Sequence, residues 1–553
     1  MSQPTPYQQL ALSSRVRLAL AAVLAVVVFV RAWQLADPPE PLRISEETTL
    51  ITEPLAADGY PDYVAALLER MGRGTPPSQN AAVEVWRAIG SGEVDPEYRE
   101  ALFAEIGCPV PPEEGLLEDF RGDALRNEIA DWLDEENKGA FDRELLLEQA
   151  DKLLDTLTRR PLPVDCPPLQ AWFDRNREGL DLLVEASHKP AYYSPPPNLL
   201  TNPPDQLYAA LLTDKFGLRD AAQPIASRAS IRLDQDTTSG AIEGTYALLL
   251  HGDQLMQQPL LVTNLLGVSI RQYAFNFANI LVDGCDDAEV LEALSNVVRA
   301  SGVPDFAKRA LAFGEPAALL DEVSGVLLRH RPSVDELLTQ QLRALDELGI
   351  EPNVVFGNVR SWLKHLESAA SCPDRVRRKE LAERRDEELD SMMDQFGTRS
   401  GILALISRKK RSEVAARTVI VLLSPVVRVI TTAEDETYTR QQLTLLAAAL
   451  KLHRVEHGAY PATLDALDPE LLESLPTDPF TNRPFRYQRR GEGFALWSLG
   501  PNGIDDGGTD ARGHFVDGEH APVDWYNERE PRDGADDLVV RLPIPPIELP
   551  DPR

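Results

Sequence analysis

The stretch Ile-Arg-Gln-Tyr-Ala-Phe-Asn-Phe-Ala-Asn-Ile-Leu at residues 270–281 decides the fold class. Its apolar residues recur at intervals of three and four positions, which is the spacing of one face of an α-helix. The same spacing occurs earlier, at Leu146, Ala150, Leu153, Leu154 and Leu157. No strong alternation of apolar and polar residues, the pattern of a half-buried strand, appears before about residue 480. The sequence therefore predicts a mainly α-helical body.

The composition is that of a folded and strongly acidic protein. Of its 553 residues, 43% are hydrophobic and 26% are charged, which are ordinary proportions for globular domains. The 88 acidic residues outnumber the 56 lysines and arginines, so the formal net charge is −32. Because such a surface repels phosphate backbones, we expect no nucleic-acid partner.

One apolar block without charges, Leu18 to Val30, lies near the N-terminus between Arg17 and Arg31. A membrane-spanning helix needs about 17 to 25 apolar residues, a length that is reached if Arg31 extends its side chain to the interface. A cleaved signal peptide is the alternative, because its apolar core has about 7 to 15 residues. Since basic residues precede the block, we expect a single-pass protein of the cytoplasmic membrane with its body in the periplasm. Secretion after signal cleavage is the alternative.

Prolines and changes in composition suggest a division of the chain into segments. The predicted fold is mainly α: an N-terminal membrane helix, a large multi-helix extracytoplasmic region and a small C-terminal α+β domain. In chain order, the segments are a cytoplasmic N-terminus (1–17), the transmembrane anchor or signal peptide (18–36), a linker (37–61), two helical regions (62–204 and 205–433), the C-terminal domain (434–530) and a Pro-rich tail (531–553).

The four cysteines are Cys108, Cys166, Cys285 and Cys372, and none of them belongs to a Cys-x-x-Cys motif. Zinc-binding and thioredoxin-like chemistry therefore have no support at these residues. An even number of cysteines in an exported chain permits two disulfides. Buried free thiols are equally compatible with the sequence.

The region after Gln441 predicts a helix followed by a small sheet. Apolar residues continue at helical spacing to Leu452, and Gly458 stands where a helix C-cap is expected. Two strand-like runs, 485–487 and 494–498, flank the sequence Gly491-Glu-Gly493. This arrangement predicts a β-hairpin.

Several segments of this region resemble the globular domain of the major pseudopilin of type II secretion systems. They are Glu456-His-Gly-Ala-Tyr-Pro461, Leu475-Pro-Thr-Asp-Pro479, and Ser498-Leu-Gly-Pro-Asn-Gly503 leading to Gly508-Thr-Asp510. The resemblance covers roughly residues 434–515. Near the other end, Thr52-Glu-Pro-Leu55, Asp58-Gly-Tyr-Pro-Asp-Tyr63 and Asn80-Ala-Ala-Val83 resemble large uncharacterised bacterial envelope proteins that end in such a domain. This second resemblance implies an architecture and no activity.

The Gly-rich loop 499–510 carries the best candidates for metal ligands. Asn502, Asp505, Asp506 and Asp510 supply hard oxygen atoms, which calcium prefers, and glycines let the backbone fold around an ion. In the resembled pseudopilins this loop holds a structural calcium ion, whose ligands map onto the carbonyl of Leu499 and onto Asn502 and Asp510. We therefore expect a structural calcium site at these five residues. A polar turn that binds nothing is the alternative.

A second motif, His453-Arg-Val-Glu456-His457, matches the inverted zinc-peptidase sequence His-x-x-Glu-His. On a helix, the two histidines share one face and could both reach a zinc ion, with Glu456 as the base. The motif makes an exported metal-dependent hydrolase the alternative function. Its place directly before Gly458, at a predicted helix end, is a poor position for a closed active site.

The function expected from the sequence is that of a non-enzymatic, membrane-anchored envelope protein. Its helical body would be a scaffold that binds an envelope or secretion-related protein. Its C-terminal domain would be a calcium-stabilised, pseudopilin-like module. The chain has no Walker loop and no Gly-x-Ser-x-Gly sequence, so these two common catalytic motifs are excluded.

The predicted topology can be tested with intact spheroplasts. Protease added from outside should digest the body of the protein, because the apolar block between Arg17 and Arg31 directs it across the membrane. Immunoblotting against the C-terminal region measures the loss. Full protection of residues 40–553 in spheroplasts that remain sealed would rule out export.

Overall fold

The computed structural model of the protein describes residues 38–162, 165–201, 207–208, 217–232, 238–331, 335–394, 407–424, 427–467, 474–509, 535–544 and 547. The predicted anchor or signal peptide at 18–36 lies outside these residues. So do the predicted calcium ligand Asp510 and part of the predicted tail at 531–553.

Helices dominate the described chain. In chain order they are α1 (Tyr63–Met71), α2 (Ala81–Ile89), α3 (Pro96–Ile106), α4 (Asp123–Glu136), α5 (Arg143–Thr156), α6 (Pro167–Arg175), α7 (Arg177–Ser187), α8 (Gly217–Arg232), α9 (Thr238–Met256), α10 (Leu261–Gly284), α11 (Ala288–Ala300), α12 (Phe306–Arg309), α13 (Glu315–Leu327), α14 (Glu336–Glu347), α15 (Pro352–Ala370), α16 (Arg375–Asp394), α17 (Arg408–Leu423) and α18 (Val427–His457). A π-helical turn, Ala310–Gly314, links α12 to α13. With 63% helix and 6% strand, the structure confirms the predicted mainly α fold.

The strands are short and lie in the C-terminal region. They are β1 (Thr477–Asp478), β2 (Arg483–Pro484), β3 (Arg486–Arg490), β4 (Gly493–Ser498) and β5 (Leu538–Leu542). Strands β1 and β2 pair with each other, and the second sheet has the order β3-β4-β5, antiparallel throughout. The small antiparallel region confirms the predicted α+β character of the C-terminus.

The chain divides into two compact units. The larger unit comprises residues 64–315, 367–383 and the chain from 426 onward, and the smaller unit comprises the residues up to 63, 316–366 and 384–425. Each unit thus gathers segments that lie far apart in the sequence. Both draw on the two helical regions predicted at 62–204 and 205–433.

The core of the larger unit contains the stripes that the sequence predicts. Five residues of the stripe in α10 are at most 1% exposed, and a sixth, Tyr273, is partly buried against them. The five are Ile270, Ala274, Phe277, Ile280 and Leu281. The stripe of α5, which continues to Leu157, is also buried, with no member more than 2% exposed. Local periodicity therefore identifies these buried faces correctly.

Helix α18 and the three-stranded sheet belong to the same core as the helical body. The helix packs on α10 and α11, and its Lys451 donates from Nζ to the carbonyl of Asp283 (2.9 Å). The amide of Ile544, just beyond β5, donates to the Asp283 carboxylate (2.7 Å). The C-terminal domain is thus packed into the larger unit through α18 and β5.

The predicted β-hairpin is confirmed, and β5 extends it by a strand that the sequence analysis did not predict. Gly491 has a φ of 53° in the turn between β3 and β4. All residues of β4 are buried, because β3 and β5 flank it on both sides. A Cβ atom on Gly493 would lie 2.1 Å from the carbonyl oxygen of Leu542. Only glycine therefore permits β5 to approach this closely.

The charged segment 375–394 is a helix that buries part of its charge. Arg378 is buried, and it donates to Glu434 (2.5 Å) and to Asp435 of α18. Glu434 also accepts a bond from the amide of Ala307 (2.8 Å). Burial raises the pKa of both carboxyl groups, and the charge of Arg378 opposes that rise. Because the segment is rich in residues of both signs of charge, its sequence does not distinguish this buried ion pair from solvated ones.

The smaller unit buries part of the basic sequence Arg408-Lys-Lys-Arg411. Arg411 is fully buried, and its Nε donates to the carbonyl of Gly349 (2.9 Å). Arg408 forms an ion pair with Glu351 at 2.9 Å. Two of the four basic residues therefore hold α17 in the fold of this unit.

All four cysteines are free thiols, so the structure contains none of the disulfides that the sequence permits. Cys166 is buried, and the other three are partly exposed.

Within the described chain, one apolar stretch, Arg408–His457, is long and apolar enough by length and composition to cross a membrane. A buried core helix meets the same criteria, and 56% of the most apolar window of this stretch is buried inside the protein.

Arg378→Met should lower the free energy of unfolding by about 3 kcal/mol or more, because Glu434 and Asp435 then stay buried with less compensation. Arg377→Met is the matched control, since Arg377 is 61% exposed and its ion pair is with Glu380 on its own helix. Its effect should stay below about 1 kcal/mol. Urea denaturation measures both changes. Equal midpoints for the two variants would contradict a stabilising role for the buried pair.

Candidate metal centre

The predicted calcium loop continues directly from β4. Gly500 and Gly503 have φ values of 63° and 69°, a left-handed conformation that suits glycine. A Cβ atom on Gly500 would lie 2.1 Å from the carbonyl oxygen of Asp536. This glycine therefore lets the loop close against the residues that precede β5, and it brings Asp536 and Asp537 into the site.

Leu499 enters the loop as a buried residue with a fixed backbone. Its amide donates to Oδ2 of Asp478 (2.9 Å), while Oδ1 of the same carboxylate accepts from the amide of Phe480 (2.9 Å). Asp478 thus joins β1 to the start of the loop. The predicted ligand at this position is the carbonyl group of Leu499, which shares its peptide unit with the amide of Gly500, and that amide donates to Oγ of Ser498 (3.1 Å).

Asp505 differs from the other acids of the loop because protein groups already occupy both of its oxygens. Oδ1 accepts from the indole Nε1 of Trp497 (3.1 Å) and from the amide of Gly507 (3.2 Å). Oδ2 lies 3.1 Å from Nε of Arg486, in an ion pair. These contacts tie Asp505, which the sequence predicts as a ligand, to Trp497 of β4 and Arg486 of β3.

Asn502 and Asp506 lie together, as the prediction requires. Nδ2 of Asn502 donates to Oδ2 of Asp506 (3.2 Å), and Oδ1 of Asn502 accepts from the amide of Ile504 (2.6 Å). The amide of Asp536 also donates to Oδ2 of Asp506 (3.3 Å). Asp506, one of the three predicted aspartates, therefore faces the residues that precede β5.

Asp536 and Asp537 are the residues that the sequence analysis missed. Oδ2 of Asp536 accepts from the amide of Asn502 (2.9 Å), and Oδ2 of Asp537 accepts from the amide of Gly508 (2.8 Å). The Oδ1 atom of each is buried and accepts no hydrogen bond from the described residues. Asp537 as a whole is 0% exposed. Two carboxylates therefore reach the loop with one oxygen each left without a donor.

The raised pKa values of Asp536 and Asp537 show that the folded protein disfavours their charged forms. Burial, together with the negative charges of Asp506 and Asp505, raises the pKa of Asp537 to about 7, and the amide of Gly508 opposes the rise. Burial also raises the pKa of Asp536 to about 6, with Asp506 and Glu436 adding to the effect and the amide of Asn502 opposing it. Both shifts mean that the ionised form is poorly compensated by the protein itself.

The donor set fits a hard cation, which would compensate these charges. No group of three or more His, Cys, Asp or Glu side chains in the described ranges is already arranged to hold a metal ion. Calcium also accepts main-chain carbonyl and amide oxygens, so its coordination does not depend on acidic side chains alone. A calcium ion here would draw the carboxylates closer and use carbonyl oxygens of the loop. Asp510, the remaining predicted ligand, lies outside the described residues.

One weak signal in the sequence could have pointed to the missed acids. Asp536 and Asp537 come directly before Leu-Val-Val-Arg-Leu at 538–542, a β-branched run typical of a strand. Acids at the start of a strand next to a metal loop are candidate ligands only once the pairing of that strand is known. The pairing of β5 with β4 leaves no mark in local periodicity.

At the alternative zinc site, the two histidines contact each other. The imidazole rings of His453 and His457 stack with their centroids 4.2 Å apart. Glu456 lies beside them, with its Oε2 4.0 Å from Nδ1 of His457. A catalytic zinc site normally has three protein ligands, and the described residues offer no group of three at this position. The geometry therefore adds no support to the hydrolase.

A shallow groove lies on the helical part of the larger unit. Its volume is about 630 Å³, and its lining carries both signs of charge, including Arg87, Arg177, Glu178 and Asp181. Arg175, also in the groove, is held by ion pairs with acidic side chains. Such an open and charged surface suits contact with a polar protein surface better than enclosure of a small molecule.

No family model, no curated protein and no solved structure matches this chain. The resemblance to pseudopilins therefore stays a prediction.

Without divalent cations, the protein should lose stability as the pH rises from about 4 to about 7. The pKa of Asp537 is raised from 3.8 to about 7 in the folded state, so folding retains a proton in this range and a higher pH opposes it. Asp537→Asn cannot titrate and should show a smaller decline. Urea midpoints in EDTA at several pH values measure the difference.

Asp465→Asn is the control for this experiment, because Asp465 is an exposed acid of the same region. It should keep the slope of the parent protein. The same pH dependence in the parent protein and in Asp537→Asn would show that the buried carboxylate carries no unfavourable charge.

Proposed function

We propose that the protein is a non-enzymatic, membrane-anchored envelope protein with a helical interaction scaffold and a calcium-stabilised, pseudopilin-like C-terminal domain. The anchor and the periplasmic location rest on the apolar block Leu18 to Val30 and the basic residues before it. The pseudopilin-like character rests on the resembling segments between residues 456 and 510.

The observation that carries the calcium site is the pair of buried oxygens on Asp536 and Asp537 that accept no hydrogen bond from the described residues. Asp506 faces the same place, and Asp510 and the carbonyl of Leu499 are the further ligands predicted from the sequence. Calcium takes six to eight oxygen ligands at about 2.3 to 2.6 Å, so side-chain and main-chain oxygens together suit it. Magnesium should replace it poorly, because it requires stricter octahedral geometry and keeps its water molecules.

The chemical role of the ion would be structural. It would neutralise carboxylates that otherwise repel one another, and it would join the loop after β4 to the start of β5. Because the ion would bind only the folded state, it would add about 2.7 kcal/mol of stability at a hundredfold excess over its Kd. The folded loop would then be more stable where free calcium is available.

The scaffold role of the helical body is supported by the open groove lined by Arg87, Arg177, Glu178 and Asp181. A partner with complementary charges could align several ion pairs along it, and such contacts favour specificity and fast association. The partner we propose is another envelope or secretion-related protein, which would share the periplasmic location.

Calcium should raise the melting temperature of the full chain above its value in EDTA, and it should slow hydrogen exchange in peptides that cover residues 493–509. Asp537→Asn should change the stability of the protein both in EDTA and with calcium. It should stabilise the protein in EDTA, because it removes a buried charge, and it should lose most of the gain with calcium. Asn502→Asp should strengthen calcium binding by adding an acidic ligand.

Asp465→Asn again provides the matched control and should keep the full response to calcium. Equal melting temperatures and equal exchange rates in calcium and in EDTA would leave the loop as an ordinary turn. Asp510→Ala tests the ligand outside the described residues, and it should reduce the response to calcium.

A further inference from the structure

The end of helix α18 carries a pair of histidines that the proposed function does not use. His453 and His457 are one helical turn apart, and their rings are nearly parallel, with an interplanar angle of 15° and centroids 4.2 Å apart. His453 is partly exposed and His457 is exposed. The edges of both rings are therefore accessible from solution. Because the stacked ring planes are nearly parallel, one of these exposed rings must turn about its side-chain torsions before both rings can bind one ion.

The hydrogen bonding of His457 prepares it to bind a metal. Its Nδ1 lies 3.1 Å from the carbonyl oxygen of His453. Because a carbonyl can only accept, Nδ1 carries the proton in the neutral ring, and the lone pair is left on Nε2. A backbone carbonyl that fixes the tautomer in this way is the usual partner of a metal-binding histidine.

The charges around the pair favour a cation. Both rings lie in the last turns of α18, where the helix dipole is negative. Glu456 places its Oε2 4.0 Å from Nδ1 of His457.

The helix is also held firmly at this end. The amide of Gly458 donates to the carbonyl of Arg454 (2.8 Å), and Gly458 has the positive φ of 78° expected of a C-cap. Tyr460 packs its ring against Arg454 and is itself buried. The two imidazoles thus stand on a backbone that is ordered before any metal binds.

We propose that His453 and His457 form a surface site for one divalent transition-metal ion, with the two imidazole nitrogens as protein ligands and water in the remaining positions. Imidazole suits zinc, copper and nickel, and affinity should be highest for copper(II) in the Irving–Williams order. The site is distinct in chemistry from the calcium loop, whose ligands are hard oxygens. It requires no third protein ligand and implies no catalysis.

Isothermal titration of the full chain with copper(II) and with zinc, in the presence of saturating calcium, tests the proposal. One equivalent of copper should bind through nitrogen, with the nitrogen hyperfine pattern visible in the electron paramagnetic resonance spectrum. His453→Asn and His457→Asn should each weaken that equivalent by about a hundredfold, because each removes the chelating partner of the other ring.

His365→Asn is the matched control, since His365 is a lone exposed histidine on α15 and should contribute nothing. All three variants should melt at the temperature of the parent protein when no transition metal is present, because the substituted side chains lie at the surface. Copper affinity that survives unchanged in both His453→Asn and His457→Asn would overturn the assignment. So would an equal loss of affinity in His365→Asn.

Discussion

The burial of helix α18 along most of its length is the constraint on which the larger unit depends. A buried polar group without a partner costs free energy, so the buried polar side chains on that length need hydrogen-bond partners. Hydroxyl groups such as that of Thr439 donate to the helix's own backbone, whereas a buried charge needs a partner from another segment. Arg378 provides it for Glu434 and Asp435 near the beginning of the helix. Near the other end, Lys451 donates to the backbone of α10. The requirement for partners thus fixes which segments surround the helix, and the same segments build the core that the sheet completes.

The predicted calcium loop differs from α18 in the partners of its buried acids. On α18, an arginine faces the buried acids, whereas Asp536 and Asp537 receive backbone amides alone at their Oδ2 atoms. The ammonium group of Lys379 opposes the rise in the pKa of Asp536, but it donates to the carbonyl of Pro501 (2.7 Å). Within the described part of the chain, Lys379 is the one cation that lowers either pKa, so a proton or a bound cation would supply the compensating charge. A proton would satisfy one carboxyl group at a time, whereas one divalent ion can satisfy several carboxylates at once.

The sequence predicts those parts of the structure that depend on neighbours along the chain. The stripes of α5 and α10, the helix end before Gly458 and the hairpin at Gly491 all follow from local spacing and backbone conformation. The buried position of Arg378 could not be predicted, because its segment carries charges on every side. Strand β5 and the acids before it depend on pairing with a strand about forty residues earlier, and such pairing leaves no local pattern. The sequence therefore predicts the acids of the loop but not Asp536 and Asp537.

The two proposed cation sites prefer different ions, because their ligand atoms differ. A net charge of −32 attracts cations of every kind to the surface, so charge by itself cannot determine which ion is bound. The oxygen atoms near Asp537 suit calcium, and the imidazoles of His453 and His457 suit softer transition metals. Calcium binds imidazole poorly, so calcium in the loop would leave the histidine pair free for a transition metal. Carboxylates also accept zinc, so saturating calcium would keep the loop occupied by its own ion while the histidines bind copper or zinc.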